Sequence, residues 1–70
     1  MHAARLDRSD RLRRVLDVLK DRKPHSTRTI AGEANVCAVN SIVAELRANG
    51  YKIECYRVGR LWYYRLEEAP

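Results

Sequence analysis

The chain has few of the residues that build metal and redox centres: Cys37, Cys55, His2 and His25 are its whole supply of thiols and imidazoles. A zinc site with two ligands of each kind would use all four, and the close C-x-x-C and H-x-x-x-H spacings of zinc fingers are missing, so no metal or other cofactor is expected. Both cysteines sit in apolar patterns, and nothing else suggests the staple framework of a secreted mini-domain. No apolar run approaches the roughly 18 residues of a membrane span. The opening MHAARLDRSD has no apolar segment of the kind a secretion signal needs, so the expected location is cytoplasmic, with no membrane partner. Also missing are a glycine-rich phosphate loop after a strand, a carboxylate pair on one concave face, and a general base beside either cysteine. With 70 residues there is little volume to enclose a small-molecule substrate, so no catalytic residue and no enzyme activity are expected.

What is present is positive charge on a small folded domain. The net charge of +5 and a pI near 9.7 favour nucleic acid, an anionic surface or an acidic protein as partner. The apolar fraction of 46% fits one folded domain with a small core, since a chain this short buries only about 60% of its unfolded surface. We divide it into a basic arm at residues 1–8, a domain at 9–66 and a tail at 67–70.

A first helix over residues 9–22 is predicted from Leu12, Val15, Leu16 and Leu19, which recur at three and four residues and form one stripe. Asp7 or Ser9 caps it, Leu6 packs under its first turn, and Arg11, Arg14, Asp21 and Arg22 read as solvated charge. Pro24 ends it. Ser26 then caps a short helix over Thr27–Ala34, whose apolar side is Ile30, Ala31 and Ala34. Asn35 suits a left-handed backbone or caps the following helix, Val36 plugs the angle, and a third helix runs over 37–49 on Val39, Val43 and Leu46, with Ile42 alongside. Gly50 is the expected residue just beyond its end.

From Tyr51 the period changes to two. Ile53 and Cys55 alternate with Lys52, Glu54 and Tyr56, and Trp62, Tyr64 and Leu66 alternate with Tyr63 and Arg65, with Gly59 as the turn of an antiparallel hairpin. Trp62 reads as the anchor of the small core; stacking on a base of a single strand is the alternative. A short strand at residues 23–26 pairing with the hairpin would complete a three-stranded sheet.

The stretch VCAVNSIVAELRANGYKIE, preceded by HSTRTIAGEA, resembles the small winged helix-turn-helix proteins of bacteriophages and prophages. It is more distantly similar to the N-terminal DNA-binding domain of the biotin repressor, which shares the LR..GY.IE exit followed by a glycine-containing wing. The resemblance covers nearly the whole chain. It implies an α+β fold, with the helix at 37–49 in the major groove of double-stranded DNA and the wing around 57–60 on the backbone or minor groove. Carried over by position, Ala38, Asn40, Ser41 and Ala44 face base edges or the groove wall. Arg47 lies nearer the phosphates, Thr27 and Arg28 meet the backbone, and Arg57, Arg60 and Tyr56 form the wing contact.

The residues themselves supply phosphate chemistry better than base readout, because Asn40 is the one reader of a base edge near the start of helix three. The expected role is a phage-type transcriptional repressor or regulator. The alternatives are an architectural protein or excisionase-like recombination factor, and a protein-interaction module or homodimer using an exposed Ile42 region.

Overall fold

The computed structural model describes residues 9–70, so the basic arm and the packing expected of Leu6 lie outside the described residues. Helix α1 spans Asp10–Leu19, with the Ser9 hydroxyl accepting from the Leu12 amide as its N-cap. It ends three residues short of the predicted Arg22, which instead adopts a left-handed backbone at φ 62°. Strand β1, His25–Ser26, is the short third strand, and it leads into α2, Thr27–Ala34. Ser26 caps α2 by accepting from the Thr29 amide, and Asn35 closes it at φ 53°.

Helix α3 spans Val39–Ala48, starting later than predicted because Ala38 is left-handed at φ 52° and stands outside the helix. Its exit is a Schellman turn: the Tyr51 amide donates to the Leu46 carbonyl, the Gly50 amide to the Arg47 carbonyl, and Gly50 takes φ 97°. Strands β2, Lys52–Val58, and β3, Leu61–Glu68, form the hairpin, which carries two residues further than predicted. Gly59 and Arg60 make its turn, with positive φ only at Gly59, as a type II′ connection requires.

The sheet order is β1-β3-β2, all antiparallel, with His25 opposite Tyr64 and Ile53 opposite Leu66. Three helices followed by this hairpin, with β1 completing the sheet, form an α+β winged helix-turn-helix-like arrangement. A bulge between Lys52 and Ile53 leaves Glu67 as the extra residue of β3, and its carbonyl accepts from the Arg22 guanidinium at 2.8 Å. Arg22 is thus a tie between the end of α1 and the sheet.

One core joins the helices to the base of the sheet: Leu12, Val15 and Leu19 from α1, Ile30 and Ala34 from α2, Val39, Ile42, Val43 and Leu46 from α3, and Ile53, Tyr64 and Leu66. Each large apolar side chain so buried contributes about 1.5–3 kcal/mol. Val36 packs against its edge, as expected, and so does Tyr51. Two expectations fail here. Ile42 is 1% exposed, because positions 39, 42, 43 and 46 make one stripe facing inward, and no partner surface exists at that side chain. Trp62 is 48% exposed, since it stands one pair from the turn, where the hairpin has risen past the helices. Cys55 shares the inward face with Ile53 but lies beyond the core, and both it and Cys37 are exposed free thiols.

The charges on α1 are less solvated than expected. Arg11 reaches Glu45 of α3 at 3.3 Å, and Arg14 pairs with Asp10 while donating to the Ala34 carbonyl at 2.7 Å. These contacts bind α1 to both other helices. Among the described residues no helix is long and apolar enough to cross a membrane.

Candidate nucleic-acid interface

The hairpin rises beside the start of α3, and between them lies an open cleft of about 550 Å³. Thr27 and Ala31 of α2 and Ala38, Val39 and Asn40 at the start of α3 form one wall; Cys55, Trp62 and Tyr64 of the sheet form the other. Antiparallel pairing explains the second wall. Cys55 faces Tyr64 and Arg57 faces Trp62, so these four side chains share the face turned toward the helices.

Polar groups link the two walls. The Thr27 hydroxyl donates to the Trp62 carbonyl at 3.3 Å, linking the first turn of α2 to β3. Burial pushes the Tyr64 phenol above its ordinary value and the neighbouring Cys55 adds to the rise, so Tyr64 is a neutral donor at physiological pH. At the rim, the Arg57 guanidinium lies 5.9 Å from the centroid of the Trp62 ring, a cation-π distance.

The structure gathers some of the sequence-predicted residues and separates others. Thr27, Ala38 and Asn40 line the cleft, and Arg57 and Arg60 are exposed on the adjoining wing. Arg28, Ser41 and Ala44 are exposed on α2 and α3. Arg47 is exposed, and its guanidinium donates to the Ile53 carbonyl at 2.7 Å and braces α3 against β2. Tyr56 stands on the opposite face of the wing from Arg57, stacked on Tyr63 with centroids 5.8 Å apart. Tyr64 and Cys55 were not expected in the site, and Trp62 was expected there only through the alternative of stacking on a base. The period-two pattern already put them on one face with Arg57, but it did not show where the helical cover of that face ends.

Charge is distributed unevenly. Arg11, Arg14, Lys20, Lys52 and Arg65 are in ion pairs with Glu45, Asp10, Asp17, Glu68 and Glu54. Arg28, Arg57 and Arg60 have no carboxylate partner among the described residues, and no carboxylate lines the cleft. The wing tip adds apolar surface, with Val58 59% and Leu61 48% exposed on either side of the turn. No protein-family model matches the chain, and no curated protein and no solved structure matches it either.

Proposed function

We propose that this winged-helix module is a non-catalytic double-stranded DNA-binding protein that presents α3 to the major groove and the wing to the adjoining backbone. The observation that carries the reading is the placement of the unpaired cations. Arg28 on α2 and Arg57 and Arg60 at the wing tip have no carboxylate partner among the described residues, while the ion-paired cations sit on α1 and at the end of the hairpin away from its turn. A cation without a carboxylate is available to a phosphate, and it releases a counterion when it meets one.

The helix supports groove contact more by shape than by base readout. Ala38, Ser41 and Ala44 are small and exposed, allowing close approach, and Asn40 supplies an amide that pairs well with adenine. Ala38 gives α3 no side-chain cap, and with the Ser41 amide donating to the Ala38 carbonyl, the Val39 and Asn40 amides are the ones that favour an anion. The cleft walls hold no carboxylate or imidazole to act as a base, which suits binding rather than turnover. With such thin direct readout, specificity comes from DNA shape or paired sites, and occlusion of a promoter, as by a small phage-type repressor, is the corresponding biological role.

A second reading is favoured by Val58 and Leu61. Exposed apolar residues beside arginines at a wing tip are what a minor-groove wedge needs, and a protein that kinks DNA during recombination would use them so.

The test is anisotropy of a labelled random duplex with two charge-matched variants. Arg57→Ala with Arg60→Ala should weaken binding about tenfold or more, and Arg11→Ala with Lys20→Ala much less. Equal losses in both would reduce the effect to net charge and contradict the assigned surface.

A further inference from the structure

We propose that the cleft between the wing and α3 takes an unstacked nucleobase, so that the protein also binds single-stranded nucleic acid. This rests on the reading that α3 and the wing face nucleic acid, but it assigns them a second substrate that a duplex groove does not offer.

An unpaired base asks a protein for a flat apolar platform, polar groups at its edge and a cation near its phosphate. All three meet here. Trp62 is the only tryptophan of the chain, and a small protein with little apolar surface to spare leaves it half exposed on a cleft wall. The edge chemistry comes from the Asn40 amide, which both donates and accepts, with the Thr27 hydroxyl and the neutral Tyr64 phenol also on the lining. The cation is Arg57, which lies at the Trp62 ring, with Arg60 exposed in the adjoining turn.

Size and charge agree with that occupant. The volume of about 550 Å³ falls within the roughly 300–1,000 Å³ of small-ligand sites. The lining carries no carboxylate, and the arginines around it have no carboxylate partner among the described residues, so the cleft complements a polyanion. A paired base cannot reach the Trp62 face, because both of its own faces are already stacked.

Because Trp62 is the sole tryptophan, its emission reports on the cleft directly. The full chain would be titrated with octathymidylate and with an abasic oligonucleotide of the same length and charge, and in parallel with a labelled duplex. Octathymidylate should quench the emission and bind about tenfold or more tightly than the abasic chain. By anisotropy of a labelled octathymidylate, Trp62→Leu should lose about that factor, while Asn40→Ala should lose less and retain the quenching. Equal affinity for the two oligonucleotides would overturn the proposal without any substitution. So would unaltered binding by Trp62→Leu, or a concentration-dependent dimer that Trp62→Leu abolishes, which would assign the cleft to a second copy. If duplex binding persists while base dependence is missing, only the cleft assignment falls; if neither nucleic acid binds, the proposed function falls with it.

Discussion

Ala38 holds a backbone conformation that glycine would hold at lower cost. Its φ of 52° brings the Cβ against the backbone, and it precedes α3 without offering a side-chain cap. Ala38→Gly should therefore stabilise the fold by about 1 kcal/mol, read as a higher urea midpoint at unchanged slope. A lower midpoint would mean that the methyl group, which lines the cleft, contributes packing that outweighs the strain. At this scale the sequence was legible wherever the backbone demand was matched by residue type: Asn35 and Gly50 took the left-handed conformations expected of them. It was not legible at Ala38 and Arg22, because neither residue type favours such a backbone and only the surrounding contacts hold it. Ile42 illustrates a different limit. It lies alongside the Val39, Val43 and Leu46 line, and the helical period alone does not say how wide the covered stripe is; the packing of α3 buries it.

Between elements, the link from α1 to β1 is polar and sensitive to acid. The Asp21 carboxylate accepts from the Lys23 amide at 2.9 Å and meets the His25 ring nitrogen at 2.9 and 3.0 Å. The Lys23 hydrogen bond, with that from His25, lowers the Asp21 pKa below its ordinary 3.8. For a carboxylate depressed in the folded state, the stabilisation is complete above the unfolded value and disappears as pH falls through the folded one. Asp21→Asn should therefore lower the urea midpoint relative to the parent at pH 6, and the gap should close as the pH drops below the ordinary aspartate range. A gap that widens in acid would contradict the assignment. Helix positions and strand alternation were readable from periodicity, and even a short strand pairing with the hairpin was expected, over 23–26 where the structure has His25–Ser26. What periodicity does not carry is length in space. The hairpin outruns the helices, so its inward face is core at Ile53, Tyr64 and Leu66 and open cleft wall at Cys55 and Trp62.

For the molecule as a whole, the net charge of +5 announced a polyanionic partner, but net charge says nothing of where the field is strongest. Pairing decides that. Ion pairs occupy cations on α1 and at the base of the sheet, Arg22 and Arg47 are held by backbone carbonyls, and Arg28, Arg57 and Arg60, with Lys23 in the α1–β1 link, keep no carboxylate partner among the described residues. Those pairings depend on which side chains the fold brings together, as with Arg11 and Glu45, 34 residues apart, and for that reason the sequence alone did not show them. The central claim is that these cations meet DNA phosphates, and the most direct measurement is the salt dependence of duplex affinity. Each phosphate neutralised steepens the plot of log affinity against log salt by about 0.9, so the parent protein should show a negative slope, and Arg57→Ala with Arg60→Ala should flatten it by roughly 2. A slope unchanged by the double substitution, or duplex affinity indifferent to salt, would contradict the account.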